Sequence, residues 1–262
     1  MAVSTTSYFN NAIVGQTQVG AGINLYSSST SPAFAVGTMF VRSDGNIFRY
    51  GHFGAATNRG AAVATDISES CLVDSDNIVI APASAVAVAG ENIQPGDIGS
   101  HYLEITLAAV TADQFAGGYL VTTDDTGEGF TYRIKGNTAT DNPATGNIRI
   151  ELYDRIQVAL DATTDIAING SRWANLEGAT TTDYDVSGIS MATQASADYG
   201  WVCTKGIVGY LDSGGCTAGQ AIAPSAVAGA LADAAAATEN IVGICLIAGD
   251  DTGHSVGYIN VD

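Results

Sequence analysis

Positively charged side chains are scarce in this chain of 262 residues. It has 9 lysine and arginine residues, of which only Lys135 and Lys205 are lysines, against 27 aspartate and glutamate residues. The formal net charge at pH 7 is therefore −18. A surface this negative repels nucleic-acid phosphates and anionic membranes, and the scattered arginines form no basic stripe. We therefore expect no nucleic-acid partner and no membrane partner.

Long continuous hydrophobic segments are also missing. The nearest approach to one, residues 78–90, is interrupted by Pro82 and is shorter than a membrane-spanning helix needs to be. The first sixteen residues, MAVSTTSYFNNAIVGQ, have neither the charged start nor the apolar centre of a signal peptide. The sequence therefore predicts a soluble protein without a cleavable export signal.

Cysteine is sparse, and the four cysteines lack the spacing of a metal site. They form no CxxC pair and have no histidine at ligand spacing, so we expect no zinc. Cys245 lies in an apolar run, where a buried free thiol is the usual outcome. Cys203 and Cys216 either stay free or pair across a hairpin, because sequence spacing alone does not decide connectivity.

Signatures of catalysis and of nucleotide binding are absent as well. The chain has no GxSxG, HExxH or P-loop motif and no complete GxGxxG motif. Its three histidines, His52, His101 and His254, are far apart in the sequence. We therefore expect no enzymatic activity, no catalytic residues and no cofactor.

Three acidic loops contain the oxygen ligands that Ca²⁺ uses, at residues 74–77, 124–128 and 249–253. None of them has the spacing of an EF-hand. Asp, Thr and Gly also form hairpin turns in the absence of any metal. We therefore treat these loops as turns and expect no tightly bound metal ion.

What the chain does contain is typical of β-structure. Thirty-one glycines and many Thr, Ser, Asn and Asp residues indicate short strands joined by tight turns. Residues 39–43 and 46–50 flank Asp44 and Gly45, a pair that favours a type I′ hairpin turn. Several later segments alternate apolar and polar residues with a period of two. The sequence predicts an all-β protein built from compact barrel or sandwich modules.

Changes in composition divide the chain into three parts. Residues 1–33 are polar apart from a few anchors and predict an extended N-terminal arm that gains order from a partner. Residues 34–94 and 171–262 are expected to form a core β module. Residues 95–170 are expected to form a second β module inserted into the first.

Three segments together resemble structural proteins encoded among the head genes of environmental and marine tailed phages. They are residues 111–134, residues 198–206, and residues 218–246 followed by a closing strand. The last segment also resembles the small capsid-decorating (cement) proteins of tailed phages. The resemblance implies a homotrimer on the outer capsid surface that binds the major capsid protein and stabilises the shell by bridging its subunits. Candidate contact residues for the capsid or for neighbouring subunits are Tyr8, Phe9, Ile13 and Trp201.

Two other kinds of function compete with this interpretation. The protein could be a phage surface or tail module that recognises a host glycan or receptor through the loops near 124–128 and 137–146, which exposed aromatic side chains on one face would favour. It could also be a cellular surface-layer or secreted β-sandwich, against which the lack of a signal peptide argues.

Overall fold

The structure is a computed structural model and describes residues 8–9, 12–14, 23–65, 71–73, 79–80, 96–107, 109–140, 146–161, 163–182, 185–235, 240–249 and 253–261. Within these ranges every regular element is a β-strand, which confirms the predicted all-β class. The strands in chain order are β1 (Tyr8–Phe9), β2 (Ala12–Val14), β3 (Met39–Val41), β4 (Ile47–His52), β5 (Ala62–Thr65), β6 (Cys71–Val73), β7 (Val79–Ile80), β8 (Tyr102–Thr106), β9 (Tyr119–Asp124), β10 (Thr131–Asn137), β11 (Asn147–Leu152), β12 (Asp165–Asn169), β13 (Leu176–Gly178), β14 (Val186–Ser190), β15 (Tyr199–Leu211), β16 (Ala221–Pro224), β17 (Leu231–Asp233), β18 (Gly243–Ile247) and β19 (His254–Asn260).

The chain divides into two compact units. The first unit comprises Met1–Asp66 and Arg172–Asp262, and the inserted unit comprises Ile67–Ser171. The sequence placed the end of the insertion at residue 170, one residue away, but placed its start at residue 95. The start lies earlier because strands β6 and β7, which precede residue 95, pair with strands of the inserted unit.

The first unit is built on one large sheet. Its strands run in the order β1-β2-β3-β4-β15-β19-β18-β16-β17, and β5, β13 and β14 join through the pairing of β14 with β15. All pairings are antiparallel except that between β2 and β3. The thirteen-residue strand β15 is the centre of the sheet, because it pairs with β4 along its first half and with β19 along its second half.

The predicted β3–β4 hairpin is present, but its turn differs from the expected type. A type I′ turn needs a positive φ at both central residues, whereas only Gly45 has one, of 90°. The loop is longer: the backbone N–H of Arg42 donates to the carbonyl oxygen of Asn46. The carboxylate of Asp44 accepts from the backbone N–H of Asn46 and pairs with the Arg42 guanidinium, which stabilises this wider loop.

The core of the first unit is aromatic around Trp201. Only 2% of this side chain is exposed. Its indole lies 5.2 Å from the ring of Tyr50, 5.3 Å from that of Phe34 and 6.0 Å from that of Phe40, measured between ring centroids. Such ring pairs add to the stabilisation from burial.

The inserted unit has its own sheet and its own core. Its strands run in the order β6-β12-β9-β10-β11-β8-β7. The side chains of β8 to β12 alternate between buried and accessible positions, as the period of two in the sequence predicts. One face of this sheet therefore packs a core of Leu and Ile side chains with Phe115 and Tyr132, and the other face meets solvent.

Candidate functional site

Strands β15, β19 and β18 lie side by side and present apolar side chains on both faces. On the inner face Tyr210, Ile259 and Cys245 are fully buried. On the outer face Ile207 is cross-strand neighbour to Tyr258, which is cross-strand neighbour to Ile244. Directly paired residues of antiparallel strands point to the same face, so these three side chains form one row. Their exposed fractions are 57%, 40% and 47%, respectively.

A second row extends this surface. Val256 is paired with Gly209 on one side and with Ile247 on the other. A bulge between Cys245 and Ile247 leaves the consecutive residues Leu246 and Ile247 both exposed. We call the set Ile207, Ile244, Ile247, Val256 and Tyr258 the outer apolar face.

The three strands that carry the outer apolar face contain no aspartate and no glutamate. In a chain of net charge −18, this sheet segment offers a partner an apolar contact without a carboxylate to desolvate. Contiguous exposed apolar surface of this kind marks interaction sites in soluble proteins. The arrangement is therefore suited to binding another protein.

A buried hydrogen-bond network holds the end of these strands together. The hydroxyl of Ser255, at the start of β19, donates to Oδ2 of Asp212 at 2.6 Å and accepts from the backbone N–H of Gly249 at 2.7 Å. The backbone N–H of Gly214 also donates to Asp212. Burial acts to raise the pKa of Asp212, but these hydrogen bonds and those from Cys216 together outweigh it and hold that pKa below its ordinary value. The network links the strand ends on which the outer apolar face depends.

A cleft of about 290 Å³ lies along the other edge of β15. Arg42, Arg59, Asn46 and His254 are among the residues that line it. The Arg42 guanidinium is paired with Asp44, and Nε2 of His254 is 3.2 Å from the carbonyl oxygen of Arg59. Phe48, Met191 and Ile207 also line the cleft, so it combines paired polar groups with apolar side chains. Among the described residues it holds no cluster of metal ligands.

The candidate contact residues occupy two different environments. Tyr8 and Phe9 form β1, and Ile13 lies in β2, which pairs in parallel with β3 of the same chain. The side chains of these three residues lie outside the part of the chain that the structure describes. Trp201, in contrast, is a core residue, so its assignment as an interface residue is wrong.

The prediction that residues 1–33 form an extended arm is also wrong for the last third of that segment, residues 23–33. Leu25 is buried in the core of the first unit, and Ser29 forms a β-bridge with Tyr199. The backbone N–H of Ala33 donates to the hydroxyl of Tyr50. Residues 23–33 are therefore part of the folded first unit, because they supply both apolar contacts and backbone pairing to it.

The three histidines have separate surroundings. The ring of His52 lies 4.7 Å from that of Tyr199, and burial lowers the pKa of His52. His254 lines the cleft described above, and His101 belongs to the inserted unit. Across the described residues, no group of three or more His, Cys, Asp or Glu side chains is placed to hold a metal ion.

The remaining predicted sites are the acidic loops and the cysteines. In the loop at 124–128 the carboxylate of Asp124 accepts from the backbone N–H of Asp125, a turn contact. Residues 74–77 and 250–252 lie outside the described residues. Cys203 and Cys216 are free and buried, so the alternative in which they form a disulfide is wrong in this structure.

No family model, curated protein or solved structure matches this chain. In the described part of the chain no helix is long and apolar enough to cross a membrane. The functional assignment therefore depends on the outer apolar face and on the sequence resemblance given above.

Sequence reasoning missed the outer apolar face, although a signal for it was present. Residues 241–247 are apolar at nearly every position, which is usually taken to indicate a strand buried on both faces. The same pattern arises when one face packs the core and the other is reserved for a partner. Ile207 and Tyr258 gave no comparable signal, because single exposed apolar residues are common.

Proposed function

We propose that this chain is a structural protein of a tailed-phage virion that binds the outer surface of the capsid and stabilises the shell by bridging its subunits. The observation that carries the proposal is the outer apolar face, held on a rigid β-sheet and free of carboxylates. The resemblance of residues 198–206 and 218–246 to phage head proteins points in the same direction, since both segments contribute strands to this sheet.

The negative charge of the chain favours a location on the outer surface of a capsid over one on the inner surface. A net charge of −18 is unfavourable beside packaged DNA, whereas the outer surface faces water and salt. Contact between this acidic chain and another protein is least opposed where the chain presents no carboxylates. The outer apolar face meets this condition, and a partner that covered it would remove large apolar side chains from water.

The stabilising action follows from mass action. A protein that binds the assembled shell but not its free subunits shifts the equilibrium toward the shell, by RT ln(1 + [L]/Kd) for each site. In this proposal the partner is the major capsid protein, the decorating species is a homotrimer, and no cofactor takes part.

Binding to shells tests the proposal directly. The double variant Ile207→Ser, Tyr258→Ser removes two large side chains from the centre of the outer apolar face. Because central apolar anchors dominate interface energies, it should weaken co-sedimentation with shells of the phage's major capsid protein by about tenfold or more. Val227→Ser is the matched control, since Val227 is also more than half exposed but lies in a turn outside this face.

The control variant should bind like the unmodified protein. Equal binding by the double variant would show that the outer apolar face is not the capsid contact. Failure of the unmodified protein to sediment with shells would contradict the proposed function itself.

A further inference from the structure

Two tyrosines flank an arginine on the solvent face of the inserted unit. Tyr119 of β9 is the direct cross-strand partner of Arg133 in β10. On the other side, the backbone N–H of Tyr153 donates to the carbonyl oxygen of Arg133, and the guanidinium lies 4.9 Å from the centroid of the Tyr153 ring. The two tyrosines are 49% and 50% exposed. We call Tyr119, Arg133 and Tyr153 the tyrosine–arginine row.

Arg133 differs from the other cations of this face. The ammonium of Lys135 pairs with Glu151 at 2.5 Å, and Arg149 pairs with Glu104 at 2.5 Å. Among the described residues no carboxylate lies within ion-pair distance of Arg133. Its Nε atom is buried without a hydrogen-bond partner, so a ligand carboxylate would bind through the two terminal Nη groups. In a chain with three acidic residues for each basic one, this guanidinium is oriented by a ring and is left available to a ligand anion.

We propose that the tyrosine–arginine row binds a carboxylate-bearing saccharide, such as a chain of uronic acids. A guanidinium fork matches a carboxylate with two parallel hydrogen bonds. An exposed tyrosine ring offers a flat apolar surface for the C–H face of a pyranose, and its hydroxyl can bond a sugar hydroxyl.

The spacing of the row favours a short oligosaccharide over a single sugar. Neighbouring strands are about 4.8 Å apart, so side chains on either side of Arg133 are separated by about 10 Å. Linked pyranoses can cover both rings and place a carboxylate between them.

This site is independent of the proposed capsid contact, since its residues belong to the inserted unit and those of the outer apolar face belong to the first unit. A saccharide site on a capsid-bound protein would tether the particle to acidic polysaccharide in its surroundings. It would bind saccharide whether or not the chain decorates a capsid.

Titration calorimetry of the full chain with a galacturonic acid tetramer tests the proposal. We expect saturable binding that Arg133→Gln weakens by about tenfold or more, as expected for loss of a charge-assisted bidentate contact. Arg133→Lys should weaken binding nearly as much, because it keeps the charge but not the fork. Lys135→Gln is the matched control, since it removes one positive charge two residues away on the same face and should leave the affinity within about twofold.

Two further probes decide the chemical class of the ligand. A neutral galactose tetramer should bind at least about tenfold more weakly than the galacturonic acid tetramer, because it lacks the carboxylate. A tetraglutamate peptide should also bind more weakly, because it has no pyranose face to cover the rings. Equal affinity for tetraglutamate, an equal loss in Lys135→Gln, or no saturable binding of the galacturonic acid tetramer would each overturn the proposal.

Discussion

The side-chain amide of Asn46 takes the place of a neighbouring strand beside Ile207. Its Nδ2 donates to the carbonyl oxygen of Ile207 at 3.1 Å, and its Oδ1 accepts from the backbone N–H of Ile207 at 3.3 Å. The preceding residue, Gly206, has a φ of +117°, and a Cβ there would lie 2.0 Å from Oδ1 of Asn46. Asn46 thus supplies the backbone hydrogen bonds that this edge of β15 would otherwise lack, at the point where the pairing with β4 ends and the outer apolar face begins.

Replacing Asn46 by Ala should destabilise the protein by about 1–3 kcal/mol, because both backbone groups of Ile207 lose their partner, the buried side chain of Asn46. Urea unfolding followed by circular dichroism measures this change. Asn58→Ala, at an exposed turn position, should change the free energy of unfolding by less than about 0.5 kcal/mol. Equal effects of the two substitutions would show that Asn46 does not support β15.

Replacing Trp201 by Ala should cost about 3–5 kcal/mol of stability, because a large aromatic side chain leaves a packed core. Trp201→Phe should cost less, since it keeps a ring against Tyr50 and Phe34. Both effects are read from urea unfolding. A folded Trp201→Ala protein with unchanged stability but altered oligomeric state would show that Trp201 is an interface residue after all.

Replacing Ser255 by Ala should destabilise the protein by about 1–3 kcal/mol at pH 7, because the buried carboxylate of Asp212 loses a hydrogen bond. The folded-state pKa of Asp212 lies below its unfolded value, so its stabilising contribution is present above the unfolded pKa and is lost as pH falls through the folded pKa. The cost of the substitution should therefore shrink when unfolding is measured below about pH 4.

Ser213→Ala is the matched control for that experiment, since Ser213 adjoins Asp212 but is only half-buried. It should have little effect at either pH. A cost of Ser255→Ala that does not change between neutral and acidic pH would contradict the role of the Asp212 carboxylate.

The buried thiols should be unreactive in the folded protein. Burial raises the pKa of Cys203 to about 12 and that of Cys216 to about 11. The thiolate is the reactive form. The fourth cysteine, Cys71, has a side chain that the structure does not describe, so it is replaced by Ser. In this variant the three buried thiols should react with a disulfide reagent at pH 8 only after unfolding. Because the folded-state pKa values are raised, the stability linked to these thiols is present below pH 9 and falls as pH rises from about 9 toward 12. Rapid reaction of the native variant would contradict the burial of these residues.

Local pattern predicted strands β8 to β11 of the inserted unit and the β3–β4 hairpin, because alternation and turn residues act within a few positions of each other. The start of the insertion was predicted wrongly, since β6 and β7 belong to the inserted unit through long-range pairing that composition does not report. Trp201 was predicted as a contact residue but lies in the core, and the sequence does not separate the two because an aromatic residue in an apolar strand suits both a core and an interface.

The two candidate sites depend on pairing between distant strands. Ile207 and Tyr258 are neighbours only because β15 pairs with β19, and Arg133 is flanked by Tyr119 and Tyr153 only because β9 and β11 pair with β10. A one-residue shift in either register would move these side chains to the opposite face. Neither site could therefore be predicted before the registers were known.

Electron cryomicroscopy of tailed-phage particles that carry this chain tests the central claim most directly. We predict density for the protein on the outside of the capsid, with Ile207, Ile244 and Tyr258 in contact with the major capsid protein. Density inside the shell, or a bound protein whose outer apolar face points to solvent, would contradict the account.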